Sequence, residues 1–152
     1  TGSNHFSIIS NFYGTVANDF YLASFGGPDL ARADTTLGNL VTSYVSKFTI
    51  LPMMYSGTFR RISIRNNKSS DISGLIKFYK ISAGLDITNS ANYVEFDSVG
   101  FLLTAYSVST PNVPLPASVS SGESIIVVIE LTSNTVSAVD LTMHTVFTYE
   151  VT

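Results

Sequence analysis

The chain has 152 residues, no cysteine and a formal net charge of -3, which bounds it to about one domain and excludes disulfides and thiolate metal sites. A net negative chain offers nucleic acid no broad attraction, and no apolar run reaches the roughly 18–20 residues of a membrane-spanning helix, so neither partner is expected. Charged residues are 12% against 45% hydrophobic, where about 25% charged is usual, so some outward faces are expected to be covered by something other than water.

Opening on Thr1 rather than Met, and without a charged-then-apolar leader, the sequence reads as a fragment, a processed product or a tagged chain. From residue 40 onward, apolar and polar residues alternate in short runs broken by Gly, Pro, Asn and Ser. A period of two turns one side chain of each pair to one face of a strand. Strands are predicted over 5–13 and 19–25, with Gly14 near the turn between them and Gly26-Gly27-Pro28 ending the second. Residues 29–39 read as a polar loop. A long strand over 40–51 stops at Pro52, which cannot donate to a ladder. Strands follow over 58–65 and 73–82, then a loop containing Gly84, then 92–97 and 101–108 flanking Gly100. Pro111, Pro114 and Pro116 make the next connection extended rather than helical. The strands 123–131 and 138–151 complete the chain. No segment shows helical periodicity over three turns, and no repeat or linker divides residues 1–152, so one domain is expected.

The strand after Gly122 is apolar on both sides. Ile125, Val127 and Ile129 share one face, and Ile126 and Val128 occupy the other beside Ser124 and Glu130. A sandwich strand with one wet face would not be built so, and left bare it would invite edge pairing. Either another layer of the same domain covers Ile126 and Val128, or a second copy of the chain does. The second cover makes these two residues the candidate self-association site. The last strand is ordinary, with Leu141, Met143, Thr145, Phe147 and Tyr149 on one face.

Groups that carry chemistry are sparse. His5 and His144 stand far apart, and nothing resembles a nucleophile elbow, a phosphate loop or an EF-hand. No catalytic residue, cofactor or metal is expected, and the chain is read as no enzyme. Glu95 and Asp97 would share a strand face, near enough to hold a cation, although two solvated carboxylates on an outward face are the preferred reading. Arg60, Arg61, Arg65, Lys68, Lys77 and Lys80 are six of the eight basic residues. If 59–65 and 75–81 pair, their charge collects at one end of a sheet, where it protects an edge or meets an acidic glycan or phosphate. Asn67-Lys68-Ser69 fits the glycosylation triplet. Tyr55, Tyr93 and Tyr106 fall near strand ends, where exposed rings could stack on sugar.

The ordered run Lys47-Phe48-Thr49-Ile50-Leu51-Pro52, then Tyr55-Ser56-Gly57-Thr58-Phe59-Arg60-Arg61-Ile62-Ser63-Ile64-Arg65, then Ile76-Lys77-Phe78-Tyr79-Lys80 resembles jelly-roll domains of bacteriophage and other virus virion proteins. Ser120-Ser121-Gly122-Glu123 and Phe147-Thr148-Tyr149-Glu150 match the turn and last strand of that pattern. The interval from Pro52 to Gly57 is longer than in the pattern, and Met53-Met54 replaces its polar turn. The resemblance spans roughly residues 5 to 150 and implies an antiparallel β-sandwich of jelly-roll type with about eight strands. It also implies a virion location and a homotrimer that forms a fibre head, spike or capsid decoration, with other virion proteins as partners. Loops would be displayed to a host-surface glycan or receptor. The alternative is a carbohydrate-binding module of a cellular enzyme, which uses the same frame.

Overall fold

The computed structural model describes residues 2–16, 18–112, 118–132 and 138–151. In chain order these form β1 (Gly2–Gly14), β2 (Phe20–Leu22), β3 (Ala33–Asp34), α1 (Leu37–Tyr44), β4 (Leu51–Pro52), β5 (Gly57–Asn66) and β6 (Ile72–Ile81). A 3-10 turn at Ser90–Asn92 leads into β7 (Tyr93–Leu103), β8 (Val108–Ser109), β9 (Ser118–Val119), β10 (Ser124–Leu131) and β11 (Val139–Val151). One sheet runs β1-β11-β5-β8, with β9 also paired to β5. The other runs β3-β2-β10-β6-β7, with β4 also paired to β10.

The pairing is nested. The first strand joins the last, β2 joins β10, β5 joins β8 and β9, and β6 joins its neighbour β7, every pair antiparallel. A long hairpin rolled over itself in this way is a jelly roll of two packed sheets. Of the eleven strands among the described residues, β3, β4, β8 and β9 are two-residue pieces; β8 and β9 both pair with β5, and taking them as one interrupted strand with β3 and β4 set aside leaves the eight expected. Of the proline-broken connection, Pro114 and Pro116 fall outside the described residues.

Period two places the core. Phe59, Ile62 and Ile64 of β5, Leu141, Met143 and Phe147 of β11, and Ile125, Val127 and Ile129 of β10 turn inward and are at most 3% exposed. Each such side chain contributes about 1.5–3 kcal/mol by leaving water. Rings tie the two sheets together: Phe59 of the first lies 5.1 Å from Phe78 of the second, centroid to centroid, and 5.0 Å from its own sheet's Phe147.

Two expected strands are corrected. Residues 37–44 are a helix, not the start of a strand over 40–51. Leu37, Leu40, Val41 and Tyr44 recur at i, i+3, i+4 and i+7, which lines one helical face. Thr36 caps the first turn, its hydroxyl accepting from the Asn39 N–H at 3.1 Å. Two turns are too short to stand out in a search over three. Nor does Gly100 divide two strands. It sits inside β7 opposite Leu75, where a glycine weakens a ladder without ending it.

The helix settles which cover lies over β10. Ile126 and Val128 are 0% exposed and cluster with Leu22, Tyr79, Ile81 and Tyr93 under Leu40 and Val41 of α1. A second small core therefore sits on the outer side of the second sheet, made within one chain. Self-association through Ile126 and Val128 would require lifting α1, so these two residues are reassigned to the core.

Candidate functional site

The outer face of the first sheet carries Arg60 and Arg61. Alternation would turn these neighbours to opposite sides, but a bulge intervenes: Val146 pairs with Arg61 and Phe147 with Phe59, leaving Arg60 as the extra residue. Phe59 (1%) and Ile62 (3%) are both buried, and the two arginines between them are both exposed. Bulges re-aim side chains in this way. Arg60 lines three adjoining hollows. The first, about 490 Å³, also contains Arg61, Ser63, Asn112 and His144. The second, about 370 Å³, contains His5, Ser7 and Thr148. The third, about 380 Å³, runs to Ser56 and Glu150.

The expected gathering of basic residues at one sheet end does not occur, because β5 and β6 belong to different sheets. The lysines of β6 are satisfied. Lys77 Nζ lies 2.7 Å from Glu130 Oε2 and 3.6 Å from Glu95 Oε1, and the Glu130 bond holds its ammonium above the usual lysine range. Lys80 Nζ donates to the Ser118 carbonyl at 3.2 Å and lies 3.8 Å from Glu123 Oε1. Among the described residues, Arg60, Arg61 and Arg65 join no ion pair. The first sheet thus presents uncompensated guanidinium groups, the side chains best shaped for carboxylate, sulfate or phosphate oxygens.

The histidines approach the arginines from β1 and β11, yet no carboxylate lines the hollow of either one. Glu95 and Asp97 do not share a face. A second bulge pairs Glu95 with Tyr79 and Asp97 with Phe78, with Phe96 between them, so two residues no longer make one full pleat. Among the described residues, no three His, Asp or Glu side chains gather as a metal site. Tyr93 is buried and donates its hydroxyl to the Ile87 carbonyl at 2.7 Å. Tyr55 stacks on Tyr149 at 4.5 Å, while Tyr106 is 71% exposed on a turn with φ 53°. The exposed rings of Tyr55 and Tyr106 lie outside the strands. The Asn67 side-chain amide donates to Asp140 Oδ1 at 3.2 Å and Thr142 Oγ1 at 3.1 Å, so glycosylation there would displace structural bonds.

The same sheet has an open edge. Backbone groups of Asn11 bond Ser24, and the Tyr13 carbonyl accepts from the Arg32 N–H, so odd residues of β1 face away from β11. Alternation turns the N–H and C=O of His5, Ser7 and Ile9 the same way. Among the described residues, no partner outside the ladder meets them. No Asp, Glu, Lys or Arg occurs in Gly2–Gly14, and Ile9 is 60% exposed. The other sheet edges are blunted: β3, β8 and β9 are two residues long, and β7 has its bulge, Glu95 and Asp97. Compared with known proteins, the chain matches no described family, and no curated sequence is significantly similar to it.

Proposed function

We propose that this is a non-enzymatic virion structural domain, a trimeric fibre-head, spike or capsid-decoration jelly roll that attaches to a host surface. The observation that carries the reading is the open, charge-free edge of β1. A lone soluble sandwich blunts such an edge, because it templates strand addition; a domain that lives in an assembly uses it. A trimer requires the edge to meet a different surface of the next copy, head to tail, and to close after three. The jelly-roll order supports the reading, since viral capsid domains use that frame, and so do the motifs from Lys47 to Lys80. Fold alone does not assign function; the edge and the cationic face supply the site argument. With the edge engaged, the arginine face of β5 and β11 stays open toward an acidic surface. Three copies would multiply weak contacts through effective concentration.

The experiment is light scattering on the wild type, Ser7→Pro and Ile9→Lys. Proline removes an N–H that faces the open edge, where a strand tolerates it, and lysine adds edge charge. The wild type should have the mass of three chains, and both variants the mass of one, with unchanged circular dichroism. A wild type that is monomeric at micromolar concentration refutes the assembly.

A further inference from the structure

The groove between the loop before β3 and the end of α1 holds a buried cation. Arg32 is only 6% exposed. Its Nη1 donates to the Leu30 carbonyl at 3.4 Å, a long bond, and among the described residues no carboxylate comes within ion-pairing distance. The backbone on either side is fixed, with the Arg32 N–H donating to Tyr13 and its carbonyl accepting from Leu22. Arg32 lines a groove of about 490 Å³ with Leu30, Tyr44, Phe48, Ser43 and Ser46.

Among the described residues, the fully enclosed side-chain polar atom without a bond is Ser10 Oγ, so the unbonded nitrogens of Arg32 reach solvent, where an anion can take the place of water. The C-terminal end of α1, at Ser43 and Tyr44, offers partial negative charge, which helps to hold the cation there. It supplies Arg32 with no second acceptor. Five donors in a rigid fork remain largely unused. The other lining residues bring the Tyr44 phenol, the Phe48 ring (Lys47 Nζ lies 5.1 Å from its centroid) and two serine hydroxyls, of which Ser46 Oγ accepts from the Phe48 N–H at 3.3 Å. Rings match the apolar faces of a pyranose, hydroxyls match its oxygens, and the guanidinium matches one carboxylate.

We propose that this groove is a binding site for a carboxylate-bearing sugar, with the carboxylate on Arg32, the ring against Tyr44 or Phe48, and hydroxyls on Ser43 and Ser46. The site rests on the attachment reading and gives it a ligand class. It is distinct from the arginine face of β5, which suits extended polyanions.

The test uses the assembled protein and thermal melting with the methyl glycoside of N-acetylneuraminic acid, its methyl ester and methyl glucoside, each at millimolar concentration. The acid should raise the melting temperature, and the ester and the glucoside should have at least tenfold weaker effects. Arg32→Gln should abolish the shift. Because that change touches a buried residue, Ser43→Trp is the second variant: Ser43 is exposed, and the indole would fill the groove without disturbing the fold. Arg60→Ala/Arg61→Ala should retain the shift. Equal shifts from acid and ester, persistence of the shift in Ser43→Trp, its loss in the Arg60/Arg61 variant, or no shift with the acid would each overturn the site. A glycan array on the same preparation separates this from the broader reading. Retention on neutral glycans with no response to the acid sinks only the groove; no retention on any glycan removes the glycan form of attachment as well.

Discussion

Replacing Leu40 with Ala tests whether α1 is the true cover of the second sheet. Leu40 is 0% exposed and packs with Leu22, Tyr79, Ile81, Tyr93, Ile126 and Val128. Truncating such a leucine removes its transfer free energy and leaves a cavity, at a cost of about 2–5 kcal/mol. A single domain is stable by only about 5–15 kcal/mol, so the loss is a large fraction of the whole. At about 2–4 °C per kcal/mol for a domain near this size, the melting temperature should fall by roughly 4–20 °C. Leu102→Ala is the control. Leu102 is 74% exposed, and its loss should stay within about 0.5 kcal/mol. Guanidinium unfolding followed by circular dichroism gives both values, and the monomeric Ser7→Pro background removes any contribution from assembly. There the Leu40→Ala loss should be the same at every protein concentration. A loss that appears only in the oligomer would mean that the helix packs between chains, and the reasoning about Ile126 and Val128 would fail.

Alkaline stability should report Tyr93. Burial, and then the charge of Asp86, pushes its phenol up to about 12 from an ordinary value of about 10. A raised folded value means that the stabilisation is complete below about pH 10 and is lost as pH climbs toward 12. Tyr93→Phe, which also forfeits the bond to Ile87, should be less stable near neutrality and lose less between pH 10 and 12; parallel curves would contradict this. Arg60→Ala/Arg61→Ala should melt with the wild type, since neither residue is paired, while its retention on immobilised heparin falls and loses salt dependence. Retention that survives the double change would place polyanion binding elsewhere.

Period two was enough to locate β5, β6, β10 and β11 to within a residue or two, because one face of each strand must meet the core. It failed wherever the backbone departs from a regular pleat. Glu95 and Asp97 read as same-facing, and strict alternation would set Arg60 and Arg61 on opposite faces; bulges undo both arrangements, and long-range register sets bulges without local sequence announcing them. The helix was readable from Thr36, Leu37, Leu40, Val41 and Tyr44, but the alternation that starts at Tyr44 competed with it. Missing it moved the cover of Ile126 and Val128 from the chain itself to a sister copy. Arg32 gave no signal at all, since its burial depends on a loop folding against the end of α1. The absence of charge from Gly2–Gly14 was visible in the sequence; that this strand lies at an edge was not.

Amide hydrogen exchange at His5, Ser7 and Ile9 tests the assembly most directly, with Phe6 and Ile8 as internal standards bonded to β11. The account predicts slow exchange at all five positions in concentrated protein, and fast exchange at the three odd ones after dilution or in Ile9→Lys. Fast exchange at His5, Ser7 and Ile9 at every concentration, beside slow exchange at Phe6 and Ile8, would show an edge that meets only water and would contradict the account.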